Sequence, residues 1–280
     1  MFTRYTIDLP RPPAQGTRMR GIVSVALAAA LLLPHAAAAQ MQPHRAVYSL
    51  RLGTAVNAPR IGTAMQDLSR DCKGWRLQRD ITTEIALTAS WKITLSSKLD
   101  GEETLGGGLF RFRTLQNQNG YERETRGRVQ RVGSEARAEI VLPSGPVQFV
   151  LPPPTLMPVA GLNYLIDRLD ARTANFPALT FDAEVIDDAF LVDVTELEPD
   201  ALRPAPPVEQ PVAVPAGKSW PVFMTFTRGR QQDQRPLFTV NALVFATGVL
   251  DRLTVDTGLV RVSADLQALE MHNAPVCPRS

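Results

Sequence analysis

The sequence has few residues of the types that carry most side-chain chemistry. Its 280 residues include two cysteines and three histidines. Outside the leader described below, the histidines are His44 and His272, one near each end of the chain. A serine-histidine triad or a histidine-rich metal site needs a histidine that a partner residue holds in place. Terminal positions make that arrangement improbable, so we expect no catalytic residue, no metal site and no cofactor.

The chain also lacks a long membrane-spanning segment at its N-terminus. The apolar run Gly21–Leu33 is 13 residues long, whereas a spanning helix needs about 20. Arg18 and Arg20 precede the run and Ala36–Ala39 follow it, which is the pattern of a secretory signal peptide. We predict that residues 1–39 are a signal peptide cleaved after Ala39. The residues before Arg18 do not resemble a signal, so we infer that translation starts at Met19.

Removal of the leader changes the charge balance. The full chain holds 30 basic and 28 acidic residues, whereas residues 40–280 hold 26 and 27, a net charge of −1. The basic excess that would suggest a nucleic-acid partner is therefore lost, and none is expected. All-β domains often exceed about 200 residues, and we expect residues 40–280 to form a single domain.

The two cysteines, Cys72 and Cys277, lie near opposite ends of the exported chain. Export to an oxidising compartment makes a disulfide the default for a lone pair. A free thiol pair and a redox site remain alternatives, although no C-x-x-C motif is present. If both are oxidised, thiolate catalysis and cysteine-ligated zinc are excluded. No cysteine follows the alanine run, so no lipid anchor is predicted.

Apolar and polar residues alternate through most of the chain after Pro43. Residues 75–87 and 91–99 show the alternation most clearly and predict two half-buried antiparallel strands. Asp100-Gly101 predicts a turn after the second strand. Similar alternation occurs at residues 48–52, 110–112, 136–142, 220–226 and 253–255. The spacing of turn residues is typical of an all-β sandwich or barrel.

Three segments depart from this alternation. Residues Leu162 to Ala171 have apolar side chains at helical spacing, which predicts one helix that plugs or caps a barrel end. Residues 199–215 contain six prolines and predict a loop or extended connector. Gly106–Gly108 precedes a strand rather than a helix, so it predicts a turn and no phosphate-binding loop.

A run of acidic side chains occupies residues 182–200, with no lysine or arginine among them. Calcium binding and a glycosidase carboxylate pair are the functional interpretations. The acidic residues alternate with apolar ones, and we therefore favour solvated strand faces. The run comprises Asp182, Glu184, Asp187, Asp188, Asp193, Glu196, Glu198 and Asp200.

Arginines dominate residues 111–131, where two glutamates oppose them. An arginine-rich hairpin suits an anionic partner, such as lipopolysaccharide phosphates or an acidic protein surface. Pairing across strands or exposure to water is the simpler interpretation. The arginines are Arg111, Arg113, Arg123, Arg126, Arg128 and Arg131.

Several short motifs in order resemble one known family. They are HRAVYSL at 44–50, CKGW at 72–75, LPSGPVQF at 142–149, FD at 181–182, WPV at 220–222 and DTGLVRVSADLQALE at 256–270. Together with the signal peptide and the two cysteine positions, they resemble the EipB-type cell-envelope integrity family of Gram-negative periplasmic proteins.

The resemblance implies a largely closed antiparallel β-barrel or β-spiral of about fourteen strands with one helix. It implies a Cys72–Cys277 disulfide, a periplasmic location and a non-enzymatic role in the cell envelope. It also implies an association with a periplasmic protein partner that contains tetratricopeptide repeats.

Two rivals to this envelope scaffold remain open. The first is a carrier that holds a lipid or another apolar ligand in its barrel, although inward aromatics are more often plain core. The cavity would be lined by Trp75, Trp91, Phe110, Phe112 and Trp220. The second rival is a carboxylate-based glycan hydrolase, for which no residue pair stands out.

Overall fold

The structure, a computed structural model, describes residues 41–86, 92–205, 212–229 and 235–278. The predicted signal peptide, the start at Met19 and Trp91 lie outside these residues. Within the described ranges the chain forms fourteen strands, one α-helix and one short 3-10 helix. Neither helix within these residues meets the length and hydropathy that a membrane-spanning helix requires.

The elements follow one another in a simple order. They are β1 His44–Leu52, β2 Arg60–Arg70, β3 Gly74–Ala86, β4 Lys92–Thr104, β5 Leu109–Gln118, β6 Tyr121–Val132, β7 Glu135–Leu142, β8 Gly145–Leu151, α1 Pro158–Asp170, β9 Asn175–Asp182, β10 Val185–Glu196, the 3-10 helix Pro199–Ala201, β11 Ser219–Arg228, β12 Phe238–Phe245, β13 Leu250–Asp256 and β14 Arg261–Met271.

All fourteen strands belong to one antiparallel sheet, in the order β8-β7-β6-β5-β4-β3-β2-β1-β14-β13-β12-β11-β10-β9. Every neighbour in the sheet is also a neighbour in sequence, except that β1 pairs with β14. Among the described residues the two terminal strands, β8 and β9, are not hydrogen-bonded to each other. The expectation of a largely closed barrel is therefore not confirmed, because hydrogen bonds do not close the sheet.

Instead, the sheet rolls inward at its β9 end. Phe181, at the end of β9, lies with its ring centroid 5.7 Å from that of Phe112 and 6.4 Å from that of Phe110, both on β5. Their side chains belong to one core with Trp75 and Leu77 of β3. We call the face of the sheet that carries these residues the inner face. Contact between elements distant in the sheet order shows that the sheet curls like a spiral.

Helix α1 begins one turn earlier than the sequence predicts, at Pro158 rather than Leu162. Proline suits the first position of a helix, because its missing N–H needs no partner there. The buried side chains are Val159, Ile166 and Leu169, which join the core. The helix packs near the β4–β5 and β12–β13 turns, so it covers one end of the rolled sheet as expected.

The turn predicted at Asp100-Gly101 is wrong. β4 continues through Gly101, which pairs with Leu77 of β3 and Phe112 of β5. A Cβ on Gly101 would lie 2.7 Å from a ring carbon of Phe110. The glycine therefore makes room for an aromatic ring within a strand, and the turn lies at residues 105–108.

The proline-rich segment contains no strand in its described part, as predicted. Leu202 is buried, and the Arg203 guanidinium donates to the carbonyl oxygens of Leu253 and Ala264, each at 3.2 Å. Arg203 also forms an ion pair with Asp265, whose side chain is 4% exposed. These contacts hold the connector against β13 and β14.

Candidate functional site

An ion-pair cluster lies on the inner face, near the turn between β9 and β10. Arg79 of β3 contacts Glu184 at 2.7 Å and Asp182 at 3.5 Å. Ser97 of β4 donates a hydrogen bond to Glu184. The three charged side chains are between 18% and 31% exposed. The nearby carboxylates raise the pKa of Arg79 despite the opposing effect of burial, so the guanidinium stays charged.

The acidic run is exposed, as expected, at Asp193, Glu196, Glu198 and Asp200, but the expectation of solvated strand faces is wrong for its first part. Asp182 and Glu184 point at Arg79, and Asp188 is 7% exposed. Asp182 and Glu184 share the single positive charge of Arg79, so both carboxylates are engaged in an ion pair. Among the described residues, no group of three or more acidic, histidine or cysteine side chains is arranged to hold a metal.

A second buried ionisable residue, Glu103 of β4, caps the N-terminus of α1. Its carboxylate oxygens accept hydrogen bonds from the backbone N–H groups of Val159 and Ala160, both at 2.8 Å. These are N–H groups of the first helical turn, which lack partners within the helix. Burial raises the pKa of Glu103 to about 7, and the two hydrogen bonds only partly oppose that rise. Glu103 thus fixes the helix that covers one end of the sheet.

The two histidines lie close together although they are far apart in sequence. His44 is fully buried, and its Nδ1 lies 2.8 Å from the carbonyl oxygen of Gln42. His272 Nε2 lies 3.2 Å from a carboxylate oxygen of Asp67. Burial lowers the pKa of His44, so this ring is neutral at pH 7. The arrangement connects the start of β1 with the segment after β14 and contains no serine or cysteine nucleophile among these contacts.

Four of the six arginines singled out in the sequence share one outer surface of β5 and β6. Arg111 pairs in register with Arg128, and Arg113 with Arg126. Strand alternation places Arg123 and Arg131 on the opposite face. The Arg131 guanidinium donates to the carbonyl oxygen of Thr155 at 2.7 Å, and Arg123 donates to Gln116.

Glutamates compensate much of the charge on this outer surface. Glu124 lies between Arg113, at 2.8 Å, and Arg126, and Glu139 lies 2.8 Å from Arg128. Hydrogen bonds from Arg126 and Arg113 hold the pKa of Glu124 below its usual value. The geometry agrees with cross-strand pairing. Arg111 forms no ion pair among the described residues.

The aromatic residues named as possible cavity lining are part of the packed core. Trp75, Phe110, Phe112 and Trp220 are each no more than 7% exposed. Phe110 and Phe112 stack with ring centroids 5.5 Å apart. Rings that contact one another fill space rather than enclose it, so these positions give the carrier hypothesis no support.

Cys72 and Cys277 form a disulfide, with Cα atoms 5.5 Å apart. Cys72 lies in the turn between β2 and β3, where Asp71 accepts hydrogen bonds from the N–H groups of Lys73 and Gly74. The bridge closes a loop of 205 residues. It attaches the segment after β14 to the β2–β3 turn, and β1 lies between β14 and β2 in the sheet.

The sequence does contain a signal for the buried charges: a charged residue stands at a position where the alternation places an inward-facing side chain. Along β3, Arg79 falls on the same face of the strand as Trp75 and Leu77. Along β4, Glu103 falls on the same face as Leu99. A charged residue at an inward position of an alternating strand requires a partner, because burying an unpaired charge is costly. The partner of each charge lies far away in the sequence, so the pattern of a single strand cannot predict which residue it is.

A single rolled antiparallel sheet with a helix over one end defines an all-β, barrel-like protein. The chain matches the EipB-like family model over residues 35–273 and belongs to that family. It is also similar to a solved β-barrel-like protein with a domain of unknown function from Brucella abortus, with a TM-score of 0.69 and 19% identity. The alignment covers 84% of this chain and 99% of that one. No curated protein sequence matches the chain significantly.

Proposed function

We propose that this protein is a non-catalytic periplasmic protein that supports cell-envelope integrity through contacts with another protein. The observation that carries the proposal is the EipB-like family match over residues 35–273. A periplasmic location is supported by the signal-peptide pattern of residues 1–39 and by the disulfide.

The environment of the polar side chains supports the non-catalytic part of the proposal. Arg79 holds Asp182 and Glu184, and Glu103 holds the first turn of α1. Arg203 holds Asp265. Each of these charges has a structural partner, and a general acid or base needs room for a substrate within hydrogen-bond reach.

Deletion of the gene in its native host tests the proposal. We expect the deletion strain to become more permeable and more sensitive to detergent, and a wild-type copy to restore both properties. As a control, a copy without residues 1–39 should not restore them, because the protein would stay in the cytoplasm. A deletion strain whose permeability and detergent sensitivity both equal those of the wild type would contradict the proposal.

A further inference from the structure

In the part of the chain that the structure describes, strand β8 forms an unpaired edge of the sheet. It is the last strand in the sheet order, and its outer edge pairs with no strand among the described residues. Pro146 has no N–H and lies next to the two-residue turn that joins β7 to β8. Antiparallel hydrogen bonding alternates along a strand, which places the backbone groups of Gln148 and Val150, like those of Pro146, toward the open edge.

The other terminal strand, β9, is covered. The N–H of Leu156 donates to the carbonyl oxygen of Leu179 at 2.7 Å, and the N–H of Phe181 donates to the carbonyl oxygen of Leu156 at 2.9 Å. Helix α1 also packs on β9, and a Cβ on Gly161 would lie 3.0 Å from the Thr180 hydroxyl. The fold thus protects one terminal strand and leaves the other accessible in the described part of the chain.

β8 has few of the features that normally prevent an edge strand from pairing. Its sequence, GPVQFVL, contains no charged residue. Natural edge strands are usually blocked by lysine, by central prolines, by bulges or by a covering segment. Here the one proline lies near the turn, and the exposed fractions of Val147 and Val150 are 38% and 44%.

The surface beside β8 carries an excess of positive charge. A groove of about 500 Å³ lies between β8 and β5. Its charged lining consists of Arg111, Arg126, Arg128 and Glu139, and Pro146 and Gln148 form its other side. Two copies of this chain paired through β8 would bring two such positive grooves toward each other. An acidic strand would gain attraction instead.

We propose that β8 is a docking edge, to which an extended acidic segment of a partner protein adds as a further strand of the sheet. This inference rests on the proposed function, because it names the surface and the chemistry of the partner. Backbone hydrogen bonds to Gln148 and Val150 supply affinity, as in other strand-addition complexes. Arg126 and Arg128 lie on β6, two strands inside the open edge, and at low salt their positive charge favours acidic side chains in the added segment.

Synthetic peptides test the proposal with the purified mature protein. The probe is a fluorescent peptide of alternating valine and threonine with two aspartates at one end. One control peptide carries lysines in place of the aspartates, and the other is N-methylated at alternate backbone positions, so that it cannot pair as a strand. At low salt we expect the acidic peptide to bind at least about tenfold more tightly than either control, a difference of about 1.4 kcal/mol.

Two substitutions in β8 separate backbone pairing from side-chain effects. Val150→Pro removes one N–H that faces the open edge, where proline is tolerated, and Val150→Thr keeps it. We expect Val150→Pro to weaken peptide binding at least about tenfold with an unchanged melting temperature. Val150→Thr should bind like the wild type. The double variant Arg126→Gln, Arg128→Gln should lose the preference for aspartate over lysine.

Equal binding of the N-methylated peptide, or equal binding by Val150→Pro, would overturn strand addition. So would the absence of binding by the acidic peptide at about 1 mM. Dimerisation in light scattering that Val150→Pro abolishes would identify a second copy of the chain as the occupant and overturn the acidic partner.

A cellular comparison distinguishes failure of this inference from failure of the proposed function. If both wild type and Val150→Pro restore the envelope of a deletion strain, the docking edge is wrong and the envelope role stands. If the deletion leaves the envelope unchanged, the envelope role itself is wrong, whatever the peptide result.

Discussion

Individual charges on the inner face hold distant segments of this protein together. Arg79 links β3 to the β9–β10 turn, and Glu103 links β4 to helix α1. Both side chains are largely withdrawn from water, so loss of one partner leaves an uncompensated group behind. Stability should therefore depend on these residues more than on the many ion pairs of the outer face.

Substitution of Arg79 tests the inner ion-pair cluster. In Arg79→Met two half-buried carboxylates, Asp182 and Glu184, lose their cation, and we expect the free energy of unfolding to fall by about 3 kcal/mol. The matched control is Arg76→Met on the same strand, whose pair with Glu102 is more than half exposed. There we expect a loss of less than about 1 kcal/mol. Urea denaturation measures both, and equal losses would refute the role assigned to Arg79.

Glu103 makes stability depend on pH in a defined direction. Its pKa is raised in the folded protein from 4.5 to about 7, so the folded state binds the proton more tightly than the unfolded chain. The contribution of Glu103 to stability is therefore present below pH 4.5 and is lost as the pH rises toward 7.

Denaturation of wild type and Glu103→Gln at pH 5 and pH 8 measures this contribution. The difference in free energy of unfolding, wild type minus variant, should be about 2 kcal/mol smaller at pH 8 than at pH 5. Differences that agree at the two pH values would show that Glu103 does not titrate in this way.

At the scale of the elements, Gly101 shows how a strand depends on its neighbour. The Gly101→Ala methyl group would meet the Phe110 ring at 2.7 Å, and we expect a loss of about 1 to 3 kcal/mol. Gly106→Ala, in the turn after β4, has no atom within 4 Å of the added methyl group. We expect a change within about 0.5 kcal/mol there. Thermal melting of the two variants checks this, and a neutral Gly101→Ala would contradict the packing.

The strands and the helix were predictable because their signals are local. Alternation identified β3 and the first part of β4, and helical spacing identified most of α1. The turn predicted at Asp100-Gly101 is wrong for a physical reason: Gly101 is needed to make room for the ring of Phe110, not to form a turn. The start of α1 was missed because its first turn is held by Glu103, 55 residues earlier than Pro158.

The arginine surface of β5 and β6 and the neighbouring edge strand β8 were predictable only in part. Arginine composition identified residues 111–131, but the division of six arginines between two faces depends on strand register. Among the described strands β8 lies at the edge of the sheet, and its own sequence could not show this, because the position depends on how all the strands are ordered. The rolled but unclosed sheet is likewise a property of the whole chain rather than of any one segment.

In the molecule as a whole, the disulfide joins the β2–β3 turn to the segment that follows β14. The loop it closes spans 205 residues, for which the chain-entropy model gives about 5 kcal/mol as an upper figure. We expect Cys72→Ser and Cys277→Ser each to lower the free energy of unfolding by a few kcal/mol. The double variant should lose little more, because either change removes the same bond. Equal unfolding curves of oxidised and reduced wild type would contradict this role.

We propose that the protein supports the envelope by binding another protein rather than by carrying a ligand or catalysing a reaction. The most direct test is gentle cross-linking in the native periplasm, followed by purification and mass spectrometry of bound proteins and small molecules. Wild type and Val150→Thr should recover the same protein partner in stoichiometric amount, and Val150→Pro should not. Recovery of a stoichiometric lipid with no protein partner would contradict the proposed protein-binding role and favour a carrier.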